Sequence, residues 1–267
     1  MKTLLLALGL LVLLAPGRAR AQAADGAGAV CAPACSCVCP PTGLDDQDCY
    51  QTPRRNTFRP AIALSIHDQF GTIQANAVNF HRLCAPANKN GDCPLCSLQP
   101  DHYLGLTLAQ ITGSVNTPHV SLAYQFGTLN GDVASVVGGP GFLLTPAGKS
   151  LVAPAPAPPA GLHNYNCYRL ANTTGDRTGN AVVTDQFVMD FPMSLRVAGP
   201  WTLCVGADVN GTDPGAVGVS PVFLCNLVND THLPFNQETV FADSTITGQV
   251  TATITRYDDL CMPATFQ

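Results

Sequence analysis

The sequence predicts an all-β protein stapled by disulfides, and three observations predict it. Apolar and polar residues alternate with a period of two in several short runs, Gly and Asn-Gly punctuate those runs, and cysteines recur in pairs at near-equal spacing. No amphipathic helical pattern of any length follows the N-terminal apolar run. The chain of 267 residues carries 24 Gly and 22 Pro with only 12% charged residues, the balance of a turn-rich β protein.

From the N-terminus, Lys2, an unbroken apolar run from Leu4 to Ala15, and Ala21-Gln22-Ala23 read as a secretory signal peptide over residues 1–23, cleaved after Ala23. The run is shorter than the ~20 residues that span a bilayer, so no membrane insertion is expected after cleavage. Loss of Lys2, Arg18 and Arg20 moves the formal net charge from −5 to −8 (−5 minus three positive charges). With so few basic residues, nucleic acid is excluded as a partner. All twelve cysteines follow the leader, which implies an oxidising compartment and a secreted or periplasmic protein. Residues 24–44 form a Cys/Pro-rich segment holding Cys31, Cys35, Cys37 and Cys39.

The body reads as four degenerate copies of one unit of roughly 58 residues. Asp48-Cys49-Tyr50, Asp68-Gln69-Phe70 and Leu83-Cys84-Ala85-Pro86 mark the first copy, and Asn166-Cys167-Tyr168, Asp185-Gln186-Phe187 and Leu203-Cys204-Val205-Gly206 the third. Leu224-Cys225, Asp243-Ser244-Thr245 and Leu260-Cys261-Met262-Pro263 mark the fourth. The paired cysteines are 35, 37 and 36 residues apart, predicting the bridges Cys49–Cys84, Cys167–Cys204 and Cys225–Cys261. A second copy has lost both thiols. His102-Tyr103 matches His163-Asn164, Tyr124-Gln125-Phe126 matches Asp185-Gln186-Phe187 and Leu143-Leu144-Thr145-Pro146 matches the Leu-Cys-x-Pro segment, and the missing cysteines are placed at Leu106 and Leu143. Loss of both together is what a bond between them requires. Cys93 and Cys96 are expected to pair with the four N-terminal cysteines in three further bridges of undetermined order.

Strands are read over Ala61–His67, Val120–Phe126 and Gly248–Thr255. One unit is too small to bury a core, so units must pair. The Ala-Pro run Val152–Ala160 falls in a linker at 151–161, dividing the chain into a β module at 45–150 (units about 45–92 and 101–150) and a second at 162–267 (units about 162–212 and 221–267), each sandwich-like. The competing architecture is one continuous stack of four units, with the Ala-Pro run as a long loop.

The order Cys49-Tyr50, Asp68-Gln69-Phe70-Gly71, then Leu83-Cys84 through Lys89-Asn90-Gly91 resembles an uncharacterised domain that occurs in tandem in exported proteins of environmental bacteria. The likeness covers most of the mature chain and is best in the first and third copies. It implies repetition and export and nothing more.

Candidate sites are few. Asp208, Asn210 and Asp213 carry calcium-type oxygens, without the glycine placement and distal Glu of an EF-hand; a hydrogen-bonded Asn-Gly turn is the competing reading. Trp201, Tyr165 and Tyr168 are candidate platforms for a glycan, and Trp201 also reads as packing over the adjacent bridge. His67, Asp68 and His81 would be the start of a hydrolase site; the favoured reading of the acid of Asp-Gln-Phe is a turn cap over a core phenylalanine. His102 and His163 read as framework residues. The sequons at Asn172, Asn210 and Asn229 matter only in a eukaryotic host. No nucleophile elbow, zinc-protease, phosphate-loop or dinucleotide motif occurs, and no cofactor is expected. The reading is an exported, non-enzymatic structural or adhesive protein contacting a surface glycan or protein, with a soluble glycan- or calcium-binding module, and last a hydrolase, as alternatives.

Overall fold

A computed structural model describes residues 44–53, 57–91, 100–134, 141–175, 178–187, 193–230 and 237–267. Cys31, Cys35, Cys37, Cys39, Cys93 and Cys96, and the expected leader, lie outside them. Among the described residues fifteen strands form one antiparallel sheet: β1 (Gln47–Gln51), β2 (Thr57–Asp68), β3 (Gly71–Pro86), β4 (Asn88–Lys89), β5 (His102–Val115), β6 (His119–Tyr124), β7 (Gly127–Val133), β8 (Phe142–Ser150), β9 (Asn164–Gly175), β10 (Gly179–Thr184), β11 (Met193–Val209), β12 (Val222–Asp230), β13 (Glu238–Ser244), β14 (Gly248–Ile254) and β15 (Arg256–Phe266).

The ladders of that sheet close on themselves. In the order β1, β3, β5, β8, β9, β11, β12, β15 and back to β1, each strand is hydrogen-bonded to the next, giving an eight-stranded ring. The three predicted bridges each join neighbours in this ring: Cys49–Cys84 across β1 and β3, Cys167–Cys204 across β9 and β11, and Cys225–Cys261 across β12 and β15. Each closes a loop of about 36 residues, worth roughly 3–4 kcal/mol of chain entropy.

Because Cβ atoms alternate across a strand, the ring has two faces with separate cores. The inner one gathers all six bridged cysteines with Tyr103, Phe142, Leu144, Tyr165 and Phe223, drawn from every strand of the ring. The Tyr103, Tyr165 and Phe223 rings come from strands that are not neighbours; Tyr103 stands edge-on to Tyr165 and Phe223 at 5.8 and 5.7 Å, and Tyr165 is tilted against Phe223 at 4.9 Å, so they meet across the ring. The outer face presents Leu83, Leu104, Leu106, Leu143, Leu203, Leu224 and Leu260, which share a second core with the hairpin residues Ile66, Ile73, Leu122, Leu129, Val240, Ala252 and Ile254. These alternating hairpin residues are the half-buried strands the sequence marks.

The division at 151–161 does not separate the ladders. β1 pairs with β15, β8 with β9 and β13, β2 with β11, β6 with β15, β7 with β9, and β4 with β10, all joining the two sides of the Ala-Pro run. The described residues belong to one compact unit. In place of two side-by-side modules there is one sheet, for a physical reason: half of the ring would leave two strand edges unpaired and the aromatic cluster split, and closure removes both.

Leu106 and Leu143 face each other in register and are fully buried, but on the outer face. The residues that occupy the cysteine positions on the inner face are Gly105 and Leu144, also directly opposed. The expected alignment is therefore one residue out, and in a strand one residue reverses the face. The same shift separates His102 from His163. His102 lies opposite Ala147 as Asn164 lies opposite Ala207, so His102 corresponds to Asn164.

Candidate functional site

Polar chemistry concentrates where the hairpin turns meet the ring. At the end of β2, Asp68 lies opposite Ala207, three residues after Cys204. Tyr124 lies opposite Ala264, three after Cys261, and Ser244 opposite Ala147, three after Leu144. Asp185 follows Thr184, which pairs with Asn88 beside Ala87, three after Cys84. The residue at this position in the fourth hairpin is thus Ser244 rather than Asp243. An alanine opposite leaves space for the turn to seat its first side chain against the ring.

Asp68 uses that space fully. One carboxylate oxygen caps its own turn, accepting from the Phe70 and Gly71 amides at 2.8 and 3.2 Å. The other accepts from the Tyr168 hydroxyl at 2.5 Å and the Asn166 amide at 2.9 Å, both on β9. Asp185 repeats the arrangement, accepting from the Phe187 amide at 2.7 Å and from the Tyr50 hydroxyl on β1, with the Tyr257 hydroxyl 3.1 Å from that of Tyr50. Burial first and the carboxylates second push both phenols up, so Tyr50 and Tyr168 remain donors. Phe70 and Phe187 stand edge-on to Tyr168 and Tyr50 at 5.3 and 5.0 Å. The turn-cap reading of the acid covers half of this; the bond to a tyrosine 100 residues away for Asp68 and 135 for Asp185 is the part the sequence conceals. Its trace is that Cys-Tyr is followed by Asp-Gln-Phe twice in the sequence, at 49–70 and at 167–187.

A second cluster lies at the inner face of the ring. Arg82 is opposite Gly105, and a Cβ there would come within 2.2 Å of the Arg82 Cγ. The missing cysteine is therefore the space through which an arginine enters. Arg82 pairs with Asp259 and, at 2.9 Å, with Asp258; its guanidinium lies 4.1 Å from the centre of the Phe142 ring. Trp201 donates to Asp259 at 2.7 Å and so caps an ion pair. Burial pushes the Asp259 carboxyl up to about 6, against the pull of Arg82. The Arg82 Nε also donates to His81 Nε2 at 2.9 Å, and Thr107 is 3.0 Å from the other ring nitrogen.

The hydrolase candidates are engaged separately: His67 is exposed and bonded to Thr72, Asp68 is buried under Tyr168, and His81 serves Arg82. Tyr165 belongs to the interior of the ring and Tyr168 is buried, so neither offers a stacking surface. The calcium-type oxygens hold structure. Asp208 accepts from the Asp213 amide at 2.8 Å, Asp213 binds His163 at 2.7 Å, and Asn210 accepts from the Ser65 amide at 2.9 Å while donating its own amide to Ser65. Asn90 treats Val182 of β10 in the same way, and both asparagines are left-handed, at φ 55 and 58. Asn-Gly here ends one strand and clasps the edge of another hairpin. Among the described residues no group of three or more His, Cys, Asp or Glu side chains could hold a metal ion.

His102 is buried and neutral. Its Nδ1 donates to the Pro100 carbonyl at 2.7 Å, and Gln186 links its Nε2 to Lys149. Burial first, and the Lys149 charge second, bring its pKa down to about 4.

Comparison of the chain with family models, curated proteins and solved structures finds no match to any of them.

Proposed function

We propose that the chain is an exported, non-catalytic structural or adhesive protein of a bacterial envelope, built from four degenerate copies of one unit and contacting a surface glycan or protein. Three disulfides are the mark of an oxidising, extracytoplasmic compartment, and among the described residues no helix is long and apolar enough to cross a membrane. The observation that carries the reading is the fate of the buried polar groups. Asp68, Asp185, Arg82, Asp259 and His102 are each bound to partners within the chain, in arrangements that rigidify the ring and hold the hairpin turns down. Catalysis needs reactive groups presented to a substrate, whereas a contact or spacer protein needs a stiff frame.

The repeat reading rests on the same facts. Four strand pairs bear the cysteines or their replacements, and an alanine recurs three residues beyond each second position.

The test compares attachment of producing cells to protein- and glycan-coated surfaces with and without the gene, adding back the purified chain. Reduced attachment, restored by the chain, is the expected result. Unchanged attachment together with turnover in a panel of glycoside, ester and peptide substrates would replace this reading with the hydrolase one.

A further inference from the structure

We infer that two copies of the chain associate edge to edge through β14, in a continuous antiparallel sheet across a two-fold axis. The inference stands on ladder geometry and is independent of the adhesive reading.

Among the described residues four hairpins have as their second strands β3, β7, β11 and β14. Three of these lie between two partners. β3 is paired by β2 and β5, β7 by β6 and β9, and β11 by β10 and β12. The outer partner in each case is the first strand of the following unit, which runs well past the ring, to Val115 in β5, Gly175 in β9 and Asp230 in β12. The strand that would stand beside β14 by the same rule is β1, and β1 ends at Gln51, where it makes a last contact with the Thr255 amide. Among the described residues β14 therefore has a ladder with β13 alone.

Strand edges in monomeric proteins are blunted by charge, proline or bulges. β14 has none of these. No charged residue and no proline occurs from Ser244 to Thr255, and the ladder with β13 is regular throughout. Its two faces are cleanly divided: Ala252 and Ile254 are fully buried and Val250 packs against the outer core, while Thr251 and Gln249 are exposed.

The occupant is a second β14 because the strand is complementary to itself. Antiparallel pairing centred on Ala252 sets Val250 against Ile254 of the second copy and Ala252 against its equivalent, extending the apolar row of each outer core. On the other face it sets Thr251 against Thr253, a cross-strand pairing of favourable type, and no like charges are opposed. A two-fold axis perpendicular to the sheet keeps the core faces of both copies on one side, as this register demands.

The experiment is sedimentation velocity of the purified full chain across a hundredfold range of concentration. The expected result is a species of twice the mass of the purified monomeric chain that dissociates on dilution. Thr251→Lys combined with Thr253→Lys brings like charges face to face only in the dimer, and should weaken association at least tenfold. Thr112→Lys, on an exposed position of β5, should leave it unchanged. Hydrogen exchange of the 248–254 amides should slow as concentration rises, a readout that a misfolded variant cannot mimic. A monomer at every concentration, a dimer indifferent to the paired lysines, or concentration-dependent protection confined to other strands would each overturn the inference.

Discussion

Asp68 and Asp185 show how much one side chain can carry. Each ties a turn to itself and to a tyrosine on a distant strand of the ring. Asp68→Ala should cost roughly 2–5 kcal/mol, because it strands the Tyr168 hydroxyl and the Asn166 amide in a buried site. Tyr168→Phe should cost less, since the Asn166 and turn bonds to the carboxylate survive; urea unfolding of both variants checks the order. His102 makes a pH prediction at the same scale. Its folded pKa of about 4 lies below the ordinary 6.5, so between those values the unfolded chain binds the extra proton. Stability from this residue is complete above about 6.5 and is lost as pH falls toward 4, by roughly 3 kcal/mol over the window. Asp259, raised to about 6, works the other way, its contribution shrinking as pH rises from about 4 to 6. The comparison that isolates the histidine is His102→Asn against the parent: the variant should lose less stability than the parent between pH 6.5 and 4.5.

At the scale of elements, the ring pair without a disulfide is the instructive one. Its strands β5 and β8 sit in the ring as the bridged pairs do, with a glycine and a leucine where the others hold sulfur. The glycine is not a vacancy. Arg82 passes through it to reach Asp259, and an ion pair takes the place of a disulfide. Gly105→Ala should force the Arg82 stem aside and disturb a buried pair, at a cost of about 3 kcal/mol. Thermal unfolding should show that loss, with the three bridges still formed by mass of the non-reduced peptides. A Tm within a degree of the parent would mean that the arginine has another route inward.

For the molecule as a whole, closure is the governing fact. Ladders join the first and last described strands and pass in several places between the two sides of the Ala-Pro run. Half of the ring has no complete inner core, so the halves should not fold separately. Cutting the chain within 151–161, by an inserted protease site, should leave the two fragments associated at native pH and separable only in denaturant. The intact chain should unfold in one cooperative transition. Two transitions, or a stable isolated fragment 162–267 with native circular dichroism, would restore the two-module arrangement.

Sequence alone determined the strand class, the three bridges and their nearly constant span, because alternation and cysteine spacing are local or strictly periodic signals. It also marked Asp-Gln-Phe as a turn and, at Asn90-Gly91 and Asn210-Gly211, the end of a strand, whereas Asn130-Gly131 lies inside β7. Three things needed the tertiary structure. The faces of β5 and β8 were hidden because Leu104, Leu106, Leu143 and Leu144 suit either side of a strand, so composition left the register open by one residue. The partners of Asp68, Asp185 and Arg82 were hidden because each lies on a strand brought near by ring closure, at separations no local pattern encodes. The ring itself was hidden for the same reason: which edges meet is decided by the need of every strand to satisfy both sides of its backbone, a condition met only by the assembled whole.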